Sequence, residues 1–579
     1  MLLKFRRKKT IIFALAVLFT NIFLWINSSI TQKHVTAGLQ SVLEATDNIG
    51  SAFGLKRDPK GYYKDVVSAL KRYSPGDPPH DLSILKDSER CEIRDVNTRT
   101  TEDEKIQSYE NLNSCYRIPE QLLGQLSAQH TSYVNYILSN LTPTKSLFQL
   151  LYPNERGIVT VGGARYTILA LTMIRALRER GTTLPVEVFI PTSDGSEDEF
   201  CKLIETMNGR CFNELSMYGA PNTMLKSYQN KAVALLASSF KEIIFIDADN
   251  IPLMNLDNVF DSVPYKENGL ILWPDIWNRM TSPSFYELAG ISVNFTRRAR
   301  FYSDDVNPPN MFTALDLDDI EQYNKEKVPF HDLEGTVPNY TSESGQIIVN
   351  KRTHLNTLLL ALYYNIYGNE WFYKMFSQGT SGEGDKETFI LAAHALAMPY
   401  YQVKRPIEFD GYVKDFYRGV GLLQHDFVED YKRWQEAKQD VQSKIDELNK
   451  FKPDYSLDKD FLEKYINPPD KKDIDIMFVH ASYHKFVPND LLNEKVYIGD
   501  DGKQFRSFNN LHRIDNFDIE LFAFQGLQKY LCTDNRIRFH HVEAKIGDDK
   551  KKYDEMCDYI NDRVEMLKNT HDEATSKQK

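Results

Sequence analysis

The chain has 579 residues, a formal net charge of −11 at pH 7, 26% charged residues and 12% aromatic residues. That length exceeds one ordinary hydrophobic core and leaves room for about three or four domains, or for one large α/β enzyme. The acidic balance gives no general basic footprint and argues against nucleic acid as the main partner, while the abundant tyrosines suit carbohydrate-stacking surfaces.

Lys4, Arg6, Arg7, Lys8 and Lys9 fill the first nine residues, and an apolar run from Thr10 to Ile30 follows. Such a run matches the roughly 20 residues needed to cross a bilayer. The basic cluster stays on the cytosolic side, so the chain reads as a single-pass type II protein with its bulk in a secretory lumen. No A-x-A-like site follows the run, which favours an uncleaved anchor over a signal peptide. The cysteines agree with an oxidising compartment: Cys91, Cys115, Cys201, Cys211, Cys532 and Cys557 are even in number and lack CxxC spacing. Sequence neighbours suggest the pairs 91–115, 201–211 and 532–557, although six cysteines allow 15 connectivities. N-glycosylation sequons stand at Asn140, whose threonine precedes Pro143, and at Asn294 and Asn339.

Residues 31–101 are polar and weakly periodic, with the breaker cluster Ser74–Pro79, and read as a stem that is partly helical around Tyr63–Arg72. Helical patterns fill Glu102–Leu151. From Arg156 the text changes to RGIVTVGGARY: a strand over Ile158–Val161, a tight turn at Gly162 and Gly163, and a helix from Tyr166 to Arg180. Pro185–Ile190 is the next strand. This order is that of a nucleotide-binding half-domain, with turn amides and the helix start open to phosphate or ribose.

A helix over Ser227–Phe240, whose apolar face begins at Lys231, feeds the most informative stretch, KEIIFIDADNIPLMN at Lys241–Asn255. Ile243–Ile246 form a short continuous apolar run, the signature of a strand covered on both faces. Asp247 and Asp249 follow at once, two apart, so in extended backbone both point to one side. Converging carboxylates repel unless a cation lies between them, and oxygen ligands suit Mg²⁺ or Mn²⁺. An Asp-x-Asp leaves coordination positions that a nucleotide-sugar diphosphate can fill. The competing role is a turn before Pro252. Removing either carboxylate is expected to relieve repulsion and to leave folding near normal.

Leu270–Arg279 supplies another strand ending in Trp273, Pro274 and Asp275, and the loop-rich region Thr281–Thr341, with its acidic Leu315–Asp319, is the expected lid or acceptor loop. Ser342–Leu355 carries Glu343 and Gln346 into a strand and a helix. Asp385 and Glu387 open the apolar helix of Gly384–Leu396, where capping competes with a catalytic role. The charged run after Gly419–Asp426 reads as a solvated helix. Asp475–Phe486 is a further buried strand that delivers His480, then His484 and Lys485, and residues 546–579 read as a polar, partly disordered tail.

In this order, RGIVTVGGARY, KEIIFIDADNIPLMN, SESGQIIVNKRTHL, GDKETFILAAHAL with MPYYQV, and FVHASYHKF resemble the fungal Golgi alpha-mannosyltransferases that build mannan outer chains, and within them the alpha-1,2 enzymes of N-glycan outer-chain branching more than the alpha-1,3 enzymes. The resemblance implies an α/β fold of the GT-A (Rossmann-like) type behind a transmembrane helix and stem. The catalytic domain would span 102–545. It implies GDP-mannose as donor, Mn²⁺ as cofactor, a mannan or N-glycan acceptor in cell-wall mannoprotein synthesis, and a Golgi mannosyltransferase complex as partner. Carried over by residue, Asp247 and Asp249 would hold metal and donor. By a looser analogy with other retaining GT-A enzymes, which His480 and Lys485 resemble in placement, His480 would add a metal ligand and Lys485 a diphosphate contact; Gly162, Gly163, Tyr166 and Lys231 stand on the donor side. Transfer with retention leaves Glu343, Asp385 and Glu387 as the carboxylates to test. The rivals are an aspartyl phosphotransferase, which needs Thr or Val soon after the second Asp where this chain has Asn250 and Ile251, and a non-catalytic glycan-binding subunit.

Overall fold

The computed structural model describes residues 58–80, 82–83, 91–215, 228–313 and 318–576. The expected cytosolic tail, the anchor at 10–30 and the first part of the stem lie outside them. Among the described residues no helix is long and apolar enough to cross a membrane. The chain divides into two units, Met1–Asp58 with Pro143–Leu151, and Pro59–Thr142 with Tyr152–Lys579. In the first, the described part contains the helix Lys145–Leu151.

The second unit carries the sheets. In chain order the strands are β1 (Asn154–Val161), β2 (Val186–Phe189), β3 (Gly209–Phe212), β4 (Phe240–Ile246), β5 (Asn250–Pro252), β6 (Leu270–Pro274), β7 (Asn294–Arg298), β8 (Leu333–Glu334), β9 (Ser342–Asn350), β10 (Tyr401–Gln402), β11 (Glu408–Val413), β12 (Tyr417–His425) and β13 (Ile476–Ala481). The principal sheet has the order β10-β6-β9-β4-β1-β2-β3. Its pairs are parallel except those of β9, which runs antiparallel to β4 and to β6. β4 lies near the middle, and Ile243–Ile246 are fully buried, as a continuous apolar run requires when both faces are covered. The helices Gln229–Ala237 and Lys351–Ile366 pack together on this sheet.

A second, antiparallel sheet has the order β11-β12-β13-β5. β5 begins four residues after β4 ends, so the Asp247–Asp249 turn is where the chain leaves one sheet and enters the other. Trp273, fully buried at the end of β6, joins the two: its Nε1 donates to the His425 carbonyl at 2.8 Å, and its ring meets Phe427 and Phe478 edge-on.

Four expectations change. The described part of 59–101 is packed and not a spacer: the expected helix is present as Pro59–Arg72 and buries Tyr62, Tyr63, Val66, Ala69 and Leu70, and Tyr63 donates to the Leu236 carbonyl at 3.1 Å. The region 281–341 is no open lid, since its described part holds the helices Pro283–Leu288 and Ile320–Lys327 and the β7–β8 ladder. The C-terminal segment is an ordered 20-residue helix, Lys550–Asn569, that buries Met556, Tyr559, Ile560, Val564 and Leu567. Those positions keep helical spacing beneath a lysine-rich composition that masks it. Likewise the charged helix Phe427–Ser443 buries Phe427, Tyr431, Ala437 and Val441 on one face.

The three disulfides join Cys91 to Cys115, Cys201 to Cys211 and Cys532 to Cys557. Of the sequons, Asn294 and Asn140 are exposed. Asn339 is excluded as a glycan carrier in the folded chain: it is buried, its amide nitrogen donates to Gln107 and its oxygen accepts the Arg279 N–H at 2.6 Å.

The C-terminal helix is locked by a fully buried ion pair. Arg563 donates to Glu520 at 2.5 Å, and Glu520 also accepts the N–H groups of Ser507 at 2.9 Å and Phe508 at 3.0 Å. Glu520→Gln leaves the guanidinium buried without its counter-charge and is expected to lower unfolding stability by about 3 kcal/mol or more, measured by urea denaturation. A loss below about 0.5 kcal/mol would show that the pair does not hold this helix.

Candidate active site

At the carboxyl end of β4 the backbone turns through Asp247, Ala248 and Asp249. Asp247 N–H donates to the Gly345 carbonyl of β9 at 2.8 Å, and the Asp249 carbonyl accepts from Ala481 of β13 at 3.0 Å. β13 in turn sets His480 opposite Asn250. Asn250 Nδ2 ties the turn to β9 through the Gly345 carbonyl at 2.9 Å and Gln346 Oε1 at 2.5 Å. One turn thus collects side chains from β9, β13 and the helix Gln229–Ala237, none adjacent in sequence.

The charges alternate. Lys231 Nζ lies 3.0 Å from Asp247 and 3.2 Å from Asp385, and it donates to the Ser344 carbonyl and hydroxyl, both at 2.8 Å. His480 Nε2 lies 3.3 Å from Asp249, and its Nδ1 lies 3.5 Å from Glu343, whose carboxylate also accepts the Gly345 N–H at 2.7 Å. Lys485 forms an ion pair with Asp249 and donates to the Ala481 carbonyl at 3.0 Å.

This alternation sets the proton affinities. Burial would strip the proton from His480, but Asp249 and Glu343 outweigh it and push the imidazolium up to about 10. Burial raises Asp249 and Glu343; His480 then pulls both below the usual carboxylate range, helped by Lys485 at Asp249, and Glu343 falls to about 2. Asp247 goes the other way, to about 6, because burial and the neighbouring Asp249 and Asp385 exceed the relief from Lys231. Burial lowers Lys231, yet Asp247 and Asp385 hold its ammonium above the ordinary lysine value.

Asp247, Asp249, Glu343, Asp385, Lys231, His480 and Lys485 are therefore brought together. Glu387 is not among them. It is buried in an ion pair with Arg279 and accepts the Ser342 N–H at 2.5 Å, so it fastens the start of the helix Thr388–Ala395 to β9. Between the two, Lys386 pairs with Asp275 at 2.5 Å. Asp275 could have been found in the sequence, because it ends an apolar strand just as Asp247 does; Arg279 and Ser344 carried no such signal. Gly162 and Gly163 lie at the same sheet end, beyond β1, but their amides are occupied: Gly162 donates to the Phe189 carbonyl at 2.8 Å and Gly163 to Thr167 Oγ1 at 3.0 Å. The turn contributes shape instead. Gly163 has φ +90°, and a Cβ there would lie 2.4 Å from Asp194 Oδ2. Tyr166 opens the following helix and is exposed.

Among the described residues no three His, Cys, Asp or Glu side chains are gathered as a ready metal cage. The donor chemistry nevertheless fits a hard divalent ion: Asp247 and Asp249 offer two carboxylates around one turn, and His480 would add an imidazole nitrogen on giving up its proton to the ion, while Lys231, Lys485 and the His480 proton supply the positive charge in the ion's absence.

A mannosyltransferase family model, Mannosyl_trans3, matches residues 155–426, the segment that runs from β1 through β12. Over 531 residues the chain is 43% identical to alpha-1,2-mannosyltransferase MNN5 of Saccharomyces cerevisiae, covering 89% of this chain and 90% of that one. The chain belongs to the fungal alpha-1,2-mannosyltransferase family. MNN2 of the same yeast is 37% identical, covering 89% and 86%, and MNN2 of Candida albicans is 33% identical, covering 80% and 73%. Among solved structures, the glycosyltransferase GlyE of Streptococcus pneumoniae and the galactosyltransferase LgtC match with TM-scores of 0.25 and 0.24 at 12% and 11% identity. Each covers 43% of this chain, with 45% of GlyE and 73% of LgtC covered in return, a likeness too distant to inform the site. The enzyme is a glycosyltransferase of the mannosyltransferase class.

Two predictions concern the metal-free protein. The relief of repulsion expected from removing a carboxylate does not apply at Asp249, because Asp249→Ala leaves Lys485 without its counter-charge and His480 with Glu343 alone. It is expected to cost about 3 kcal/mol, whereas Asp247→Asn, at a site where burial and Asp249 and Asp385 already weaken the hold on the anion and where Lys231 keeps Asp385 and Ser344, is expected to cost about 1 kcal/mol or less; equal losses in denaturant titration would refute the asymmetry. His480 binds its proton more tightly folded than unfolded. The stability it contributes is complete below about pH 6.5 and is lost as pH rises through about 10. The stability gap between the native chain and His480→Gln should accordingly narrow between those values, and a gap independent of pH would count against the ion pairs.

Proposed function

We propose that this enzyme transfers mannose from GDP-mannose, with retention of the alpha configuration, to mannan or N-glycan outer chains in the Golgi lumen, on a GT-A-type scaffold. The observation that carries this reading is the set of charges at the end of β4: Asp247 and Asp249 beside Lys231, His480 and Lys485. A nucleotide sugar needs positive charge where its diphosphate departs and carboxylates where its sugar hydroxyls sit. Asp247, Asp249 and His480 would hold Mn²⁺, which when bound takes up charge on the leaving diphosphate.

The chain's own residues do the rest. Lys485 and Lys231 would face the diphosphate as fixed cations, each already in an ion pair with a carboxylate. The Gly162–Gly163 turn and the exposed Tyr166 shape the nucleotide side. Asp385, paired with Lys231, and Glu343, paired with His480, orient the mannose and the incoming hydroxyl. In retaining transfer that hydroxyl bonds to the anomeric carbon on the face the diphosphate leaves, and its proton passes to the departing phosphate oxygen. Glu387 acts as a positioning residue through Arg279 and Ser342.

The homologues' names favour an alpha-1,2 product, and linkage-specific mannosidase digestion tests it. The full-length protein in detergent, given a panel of nucleotide sugars with and without Mn²⁺ and a mannoside acceptor, is expected to use GDP-mannose only, and only with the ion. Asp385→Asn should lower kcat at least tenfold, on the order of the loss of one transition-state hydrogen bond, while leaving GDP affinity within about twofold. Transfer from UDP-sugars, or unchanged turnover in Asp385→Asn, would overturn the donor or the role.

A further inference from the structure

The β11–β12 hairpin presents apolar side chains that the fold does not use. Val413, Phe416 and Tyr417 at its tip are 73%, 62% and 53% exposed. Its base, by contrast, is firmly held. Asp410 accepts the N–H groups of Asn509 at 3.2 Å and Asn510 at 3.1 Å, Glu408 pairs with Arg513 at 2.8 Å and Arg405 at 2.7 Å, and Tyr412 packs on Phe505. A rigid base under a bare aromatic tip is pre-organised contact area that folding does not explain.

The hairpin is continuous with the candidate active site. β12 pairs with β13 so that Leu422 lies opposite His480 and Gly421 opposite Ala481. Beyond Ala481, Ser482 N–H and Tyr483 N–H both donate to the Val420 carbonyl, at 3.0 and 3.4 Å, which binds the Ser482–Lys485 loop to the rising hairpin. Tyr483, 66% exposed, leaves that loop two residues before Lys485. From the His480 register to Tyr417 the strand extends five residues, roughly 17 Å at 3.3 to 3.4 Å each. The tip therefore projects past the sheet end at which Asp249, His480 and Lys485 meet.

We propose that Phe416, Tyr417, Val413 and Tyr483 form a platform for the outer sugars of the glycan acceptor, on which the apolar faces of a neutral oligosaccharide stack beyond the reacting mannose. This rests on the reading of the site as a mannosyltransferase active site. A neutral glycan fits better than an anionic partner. The tip carries only Lys414, Asp415 and Arg418 as charges, and Arg418 lies over the Phe416 ring, 4.6 Å from its centroid, while the residue stays 62% exposed. Tyrosine adds a rigid ring with a hydroxyl, suited to a surface that is apolar on one side and hydroxyl-rich on the other.

The test compares acceptors of two lengths, mannobiose and a linear mannohexaose, with the full-length protein. The double variant Phe416→Ser/Tyr417→Ser, and separately Tyr483→Ala, should raise KM for mannohexaose by about five- to tenfold while KM for mannobiose and for GDP-mannose stays within about twofold. Equal effects on the two acceptors, or none, would overturn the platform. So would unchanged KM values together with lost binding to phosphatidylcholine vesicles, which would make the tip a membrane contact. If the native protein transfers no mannose to either acceptor, the enzymatic reading fails. The platform is then judged by calorimetric binding of mannohexaose, which it requires in the native chain and expects to weaken in both variants.

Discussion

Four carboxylates, Asp247, Asp249, Glu343 and Asp385, share one end of the principal sheet, and their mutual repulsion is tolerable only because Lys231, His480 and Lys485 are interleaved among them. Much of the local architecture serves that alternation. The short link between β4 and β5 makes the two aspartates a junction between sheets. β9, inserted antiparallel beside β4, delivers Glu343, Ser344 and the Gly345 carbonyl. β13, paired to β5, delivers His480. Displace any of these strands and a buried charge loses its partner, which costs more than a lost hydrogen bond.

On the proposed reading, the same alternation prepares the site for a charged substrate. The cations are already fixed and partly desolvated, so a diphosphate entering between them would replace carboxylate partners with phosphate oxygens and would not have to organise the lysines itself. Proton affinities within the cluster are split by position: Asp247 is easily neutralised, whereas Asp249 and Glu343 are held as anions by the imidazolium. Two aspartates only two residues apart are thereby made chemically unequal.

Around this centre a ring of ion pairs fastens the elements that carry it. Lys386 with Asp275 and Glu387 with Arg279 tie the segment bearing Asp385 to the strand ends of β6 and β9. On the other flank the Cys91–Cys115 segment reaches the loop before Asp385: Asp95 accepts the Ser381 N–H at 2.6 Å, and Asn278 donates to the Val96 and Thr98 carbonyls at 2.7 and 2.9 Å, respectively through its backbone and its side chain. Residues that read as stem thus brace the catalytic face.

The sequence by itself determined the strand that ends in Asp247 and Asp249, because four consecutive apolar residues followed by paired acids report a covered strand and its exit locally. It also determined the α/β alternation and the family, which the relatives show. Only the tertiary structure decided which carboxylates meet. Asp385 and Glu387 are two residues apart at one helix start, yet the first faces Lys231 and the second is consumed by Arg279. That difference depends on where β6 and the helix Gln229–Ala237 pass, more than 100 residues earlier in the chain. The C-terminal helix and the packed segment after Pro59 were hidden for a related reason: their apolar positions are sparse among charges, and their helical spacing acquires meaning only when a partner surface, built from distant sequence, is there to cover it.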